Sequence, residues 1–159
     1  MLARRADAVT QISVMSDHLF IYGTLLSGAG HSMHRVLVRH AELVGEGFFN
    51  GRLYRVGHYP GAVPSNEPDD RVFGEVYRLR EAADLLFRLD EYEGCGPAAA
   101  APTQYVRTTA RITLTNETIV HAWIYVYNKP VHGLERIRSG FFLESRTKLV
   151  RAGPGDAKA

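Results

Sequence analysis

The sequence predicts one α+β domain built on a mostly antiparallel, curled sheet with a few flanking helices. Three observations carry this expectation. Apolar runs of strand length outnumber helical stretches and cluster in pairs suited to hairpins. The order runs strand, helix, several strands, helix, hairpin, unlike the strand–helix alternation of a doubly wound parallel sheet. A chain of 159 residues, 45% apolar and 23% charged, fits one ordinary globular core, and it shows no internal repeat or linker. The domain is expected over residues 18–150. Residues 1–17 read as an N-terminal extension, and 151–159 as a disordered tail.

The elements follow in order. Leu19-Phe20-Ile21-Tyr22 reads as a short buried strand that opens into Gly23-Thr24-Leu25-Leu26, with Gly28 and Gly30 beyond. Residues 33–40 read as a short helix. Residues 43–56 alternate apolar with polar, interrupted by Gly47 and Gly51, which predicts a strand pair or one long bent strand. Residues 58–64, HYPGAVP, read as a turn-rich loop, and Pro68-Asp69-Asp70-Arg71 as a turn. A strand over 72–79 precedes an amphipathic helix over 81–92. After an alanine-rich loop, 94–102, come strands over 105–115 and 119–127, joined by Asn116-Glu117-Thr118. A short helix is expected over 134–138.

Bulk properties exclude several classes. A net charge of +2 makes no electrostatic case for nucleic acid or an anionic membrane as partner. A single cysteine, Cys95, rules out an internal disulfide and a multi-cysteine zinc site, and suits a reducing cytoplasm. No apolar run approaches the roughly 18–20 residues of a membrane span. The first residues lack the hydrophobic segment of a secretory signal.

The glycine turn after the first strand is not a P-loop. Gly23 and Gly28 have the spacing, but Ala29 and Gly30 stand where lysine and a hydroxyl residue are needed. The turn is left as a plain β-turn, or as a cradle whose N–H groups hold a carboxylate or an oxyanion.

In the second helix, at roughly 100° per residue, Ala82, Leu85, Leu86, Leu89 and Tyr92 form an apolar stripe. Glu93 follows Leu89 by four residues and Leu86 by seven, so it projects from that stripe. Burial there would raise its pKa toward neutrality and suit it to general acid/base work. The alternative is that the helix stops at Tyr92, Gly94 caps it, and Glu93 swings out to water. On the strand over 119–127, His121, Trp123, Tyr125 and Tyr127 share one face. Val120, Ala122, Ile124 and Val126 share the other, as in a barrel wall or a sheet with a helix on one side. Cys95 is a conceivable nucleophile, but no histidine is fixed beside it. His31, His34 and His40 lack a completing ligand at metal-site spacing.

Four segments in order, Phe20-Ile21-Tyr22-Gly23-Thr24-Leu25, Tyr59-Pro60-Gly61, Gly74-Glu75-Val76-Tyr77 and Leu89-Asp90-Glu91-Tyr92-Glu93-Gly94, resemble the gamma-glutamylcyclotransferase superfamily. The resemblance is to its gamma-glutamylamine cyclotransferase-like (AIG2-like) branch. Tyr105-Val106-Arg107 and the segment from Ala122 to Asn128 extend it over roughly residues 18–140. It implies a compact, barrel-like fold and an enzyme that needs no cofactor. It implies Glu93 as the catalytic acid/base, and substrate binding by Tyr22, Gly23, Thr24, Leu25, Tyr59, Tyr105 and Tyr127. The implied substrate is a small gamma-glutamyl amine or amino acid, cyclised to 5-oxoproline with release of the amine. A monomer or weak homodimer in the cytoplasm is the expected setting. The alternative is a non-catalytic small-molecule-binding member of the same fold, which a Glu93 buried without an open cavity would favour. The chain departs from many relatives in having Leu26-Ser27, not a basic residue, after the turn. The long loop over 94–104, which separates Glu93 from Tyr105, is where substrate choice would differ.

Overall fold

A computed structural model of the chain describes residues 16–23 and 32–142. The elements are β1 (His18–Ile21), α1 (Ser32–His40), β2 (Ala41–Val56), β3 (Tyr59–Pro64), β4 (Arg71–Leu79), α2 (Ala82–Tyr92), β5 (Tyr105–Leu114), β6 (Ile119–Tyr127) and β7 (Glu135–Arg136). Five strands close into a barrel in the order β2–β4–β1–β6–β5, with β5 returning to β2 through Gly47↔Leu114, Phe48↔Thr113 and Phe49↔Ile112. All neighbours are antiparallel except β1 and β6, which run parallel at Leu19↔Trp123.

Alternation decides what each strand buries. Phe20, Tyr22, Val72, Val76, Ile112, Ala122, Ile124 and Val126 point into the barrel. Their neighbours Leu19, Ile21, Tyr77, Leu79 and Tyr125 point outward, beneath Leu37 of α1 and Leu85, Leu86 and Leu89 of α2. Both faces of β1 and β6 are therefore covered, which is why those strands read as nearly continuous apolar runs. The three α2 leucines are buried and contribute about 2 kcal/mol each by the area they remove from water. That apolar stripe seats the helix on the sheet and fixes where its last turn lies.

The long alternating segment is one strand. A register shift between Leu43 and Gly45 bends β2, as an inserted residue does. Its second half leaves the barrel to pair with β3 and β7. The 105–127 hairpin forms as expected, with a nine-pair ladder from Tyr105↔Tyr127 to Thr113↔Ile119.

Two expectations are corrected. Residues 58–64 are not a loop: Tyr59–Pro64 is a strand paired with β2 across a turn at Gly57, whose φ is 60°. Its prolines are tolerated because β3 is an edge strand and needs no N–H on its outer side. Residues 134–138 are not helical. Glu135 and Arg136 pair with Arg55 and Tyr54, and Ile137 N–H donates to the Leu53 carbonyl. Arg136 is held there by Asp70 at 2.7 Å. The expected N-terminal extension up to residue 15 and the tail over 151–159 lie outside the described residues. Among the described residues, no helix is long and apolar enough to cross a membrane.

Candidate active site

β1 delivers Tyr22 and Gly23 to one end of the barrel, where a cavity of about 340 Å³ opens. Its wall is Tyr22 and Gly23 on one side, Tyr59 and Pro60 of β3 on another, and Tyr92 and Glu93 at the end of α2. Gln104, just before β5, Tyr105 and Tyr125 add to it from the β5–β6 side, and residues 19–21 of β1 line it as well. Gly23 is required by contact: a Cβ there would lie 2.6 Å from Pro60 Cγ.

Glu93 reaches the cavity through the way α2 stops. Gly94 takes the left-handed conformation (φ 72°), its N–H donates to the Glu91 carbonyl, and the Cys95 N–H donates to the Asp90 carbonyl. These are the paired bonds of a glycine-terminated helix end. Glu93 is the cap residue itself, still near helical backbone (φ −81°, ψ −2°), with its N–H bonded to the Leu89 carbonyl. Both sequence readings of this segment are thus half right. The helix does stop at Tyr92 and Gly94, yet Glu93 faces the cavity in line with the apolar stripe.

Burial pushes the Glu93 carboxyl up to about 7. Among the described residues, no hydrogen bond or ion pair to that carboxylate offsets its loss of water. The residue is half-buried and lines the cavity. A carboxyl in this setting holds and releases a proton with nearly equal ease at neutral pH.

The tyrosines divide into distinct duties. The buried Tyr22 hydroxyl donates to the Tyr125 carbonyl and accepts from the Ala62 N–H. The Tyr105 hydroxyl donates to the Pro60 carbonyl at 2.6 Å. Burial raises both phenols, and the neighbouring Glu93 adds to this, so they remain protonated and frame the cavity. Tyr59 is 54% exposed and stands at the mouth. Tyr127 does not line the cavity: its ring meets Tyr105 edge-on at 5.7 Å, and its side chain backs Gly61. Tyr125, on the same strand face, does line it. Thr24 and Leu25 lie outside the described residues.

Sequence reasoning missed Tyr92 and Gln104 as lining residues, and it left open which of Tyr125 and Tyr127 faces the cavity. Tyr125 shares a face with Tyr127, so periodicity could nominate both and separate neither. Cys95 is poorly suited to nucleophilic work. Burial first, then the negative charges of Asp90 and Glu93, push its thiol up to about 11, so it carries little thiolate at neutral pH.

The site is thus a cavity at the end of a small closed barrel, holding a single near-neutral carboxyl among tyrosines. The model of the family "Gamma-glutamyl cyclotransferase, AIG2-like" matches residues 19–144, and the chain belongs to that family. It is 38% identical over 127 residues to the gamma-glutamylcyclotransferase family protein YtfP of Escherichia coli strain K12, a match spanning 79% of this chain and 96% of that protein. An AIG2-like protein from Mus musculus has the same fold, with a TM-score of 0.56 at 26% identity, over 72% of this chain and 80% of that one. A Pyrococcus horikoshii protein superposes with a TM-score of 0.60 at 23% identity, over 86% of this chain and 98% of that one, a likeness of fold.

Proposed function

We propose that the chain is a gamma-glutamyl cyclotransferase that releases 5-oxoproline and a free amine or amino acid from a small gamma-glutamyl substrate. The observation that carries this reading is the Glu93 carboxyl, raised to about 7 by burial and facing an open cavity. The substrate supplies its own nucleophile, the α-amine, and its own electrophile, the γ-amide carbonyl. Folding the γ-glutamyl chain back brings them together, so the protein provides orientation and proton transfer. The neutral amine attacks the carbonyl carbon, a C–N bond forms, and Glu93 takes the amine proton. The amide C–N bond then breaks, and Glu93 gives that proton to the departing nitrogen. No water is consumed and no electrons change hands.

In this reading the segment Tyr22-Gly23-Thr24-Leu25 binds the glutamyl end through its backbone N–H groups. Tyr59 and Tyr105 bound the space for the leaving amine. The openness of the cavity beside Glu93 favours turnover over a pocket that only binds.

The test is 5-oxoproline release from a panel of gamma-glutamyl amines and gamma-glutamyl amino acids, with wild type beside Glu93→Gln. Wild type turns over at least one member, and the folded variant loses about two to four orders of magnitude, the span of general acid–base catalysis. Equal activity of the two proteins would remove Glu93 from the mechanism.

A further inference from the structure

Three residues before Glu93, on the last turn of α2, Asp90 makes the most extensive side-chain contacts near the cavity. Its carboxylate accepts from Arg107 Nε at 2.7 Å and from Arg107 Nη2 at 3.1 Å, a two-pronged pair. It also accepts from the Tyr125 hydroxyl at 2.6 Å. Arg107 and Tyr125 face each other across the β5–β6 ladder. The Arg107 guanidinium stacks over Trp123 with its Cζ 4.3 Å from the ring centre. Both members of the ion pair are largely buried, with side chains 24% and 15% exposed. The end of α2 is therefore fastened to β5 and β6, three residues before the cap residue Glu93.

We propose that Asp90 is a positioning residue, which through Arg107 and Tyr125 holds the end of α2 so that the Glu93 carboxyl stays in the cavity. This rests on the cyclotransferase reading only for its kinetic consequence. Asp90 is not a wall of the cavity, so its effect on the reaction runs through what it holds, the end of α2 with Glu93 and the Tyr125 hydroxyl. The leucine stripe seats the helix as far as Leu89, and the Asp90 side chain adds a polar anchor in the turn that follows. The ion pair supplies the fixed point there. Among the described residues, the titratable groups that face Glu93 are Tyr22 after β1, Tyr59 of β3, Tyr92 of its own helix, Cys95, Tyr105 of β5 and Tyr125 of β6. None of these brings a positive charge, so the near-neutral titration of Glu93 reports its burial. When the helix end loosens, Glu93 gains water and titrates lower.

The test follows the Glu93 carboxyl by carbon-13 NMR titration in wild type and in Asp90→Asn, with steady-state kinetics beside it. In the folded variant, the midpoint falls by about one pH unit or more toward the ordinary carboxylate range. Its kcat falls roughly tenfold or more while KM stays within about twofold. In a Glu93→Gln background, Asp90→Asn changes residual activity no further, because the two act as one unit. A folded Asp90→Asn with the wild-type midpoint and kcat would overturn the proposal. Should Asp90→Asn not fold, Arg107→Lys decides by the same readings. It keeps the charge and loses the fork and the ring stacking, so the shifts are smaller and of the same sign, and unchanged values overturn the proposal. If wild type is inert on every gamma-glutamyl substrate, the midpoint alone decides: a fall upholds positioning while the cyclotransferase reading fails.

Discussion

Gly94 turns the chain out of α2 with φ 72°, and Glu93, immediately before it, is left as the cap that faces the cavity. One residue ends the helix and its neighbour takes the place of the next hydrophobe in the stripe. Among the described residues nothing lies within 4 Å of a Cβ built on Gly94, so the cost of Gly94→Ala is conformational and comes to about 1–2 kcal/mol. Urea unfolding will read that loss. 5-Oxoproline release will fall by more than the stability change accounts for, because Glu93 is re-aimed. Gly94→Asn, which tolerates the left-handed region, recovers most of both. An alanine variant as stable as wild type would show that the left-handed turn is not what fixes this helix end.

The rate should follow the Glu93 ionisation. In the proposed reaction the carboxylate is the form that accepts the amine proton, and burial raises its midpoint to about 7. The value of kcat/KM therefore rises with pH through about 7 and is low at pH 5. Tyr22 and Tyr105 are raised by burial and stay protonated across this range, so they add no step. A pH–rate profile from pH 5 to 8.5 checks this. A limb centred in the ordinary carboxylate range would mean that Glu93 is solvated during turnover.

The same burial opposes stability, and its sign is fixed. Glu93 titrates near 4.5 when solvated and at about 7 when folded, so between those values the folded state holds the extra proton. Stability falls as pH rises through that window, and the penalty is complete above 7. Glu93→Gln carries no such charge. It should be more stable than wild type at pH 8 by roughly 1–3 kcal/mol, with the gap closing by pH 4. A separate acid limb belongs to Asp70. Ser65 first, then Arg52 and Arg136, hold that carboxyl well below its ordinary 3.8, so its contribution is present above that value and lost as pH falls below it. This limb should be equal in both proteins. Urea unfolding at pH 2.5, 4, 6 and 8 separates the two effects, and a constant difference between the two proteins across pH would exclude Glu93 titration as its origin.

The sequence made the barrel strands and Glu93 legible because both follow from period. Alternation marks the two faces of Ile119–Tyr127, and both faces are filled. A helical period marks Glu93 as a carboxyl where a hydrophobe belongs. Local chemistry misleads where tertiary pairing decides. Tyr59–Pro64 holds two prolines and a glycine, and only the partner strand β2 makes it a strand. Residues 135–136 are a strand only because β2 extends past the barrel to meet them. Tyr125 and Tyr127 have the same parity, and what separates them is where α2 ends along the strand. Asp90 sits at the edge of the α2 stripe in the sequence pattern, and its partner Arg107 is 17 residues away. That pairing depends on the hairpin register, which no local pattern reveals.

The hydroxyl of Tyr22 is the acceptor for the Ala62 N–H, at 3.1 Å, in a residue with no exposed surface. Removing it leaves a buried donor without a partner, which costs about 1–3 kcal/mol. Tyr22→Phe keeps the ring, so the barrel packing around Phe20 and Tyr22 is retained. For a chain of this size the loss lowers Tm by roughly 3–10 °C. The specific mark is local: amide hydrogen exchange at Ala62 should accelerate more than at its neighbours in β3, since its hydrogen bond alone is lost. β3 carries Tyr59 and Pro60, two walls of the cavity, so KM for the gamma-glutamyl substrate should rise with the same substitution. Unchanged exchange at Ala62 in a folded Tyr22→Phe would show that the hydroxyl is not what holds this strand against β1.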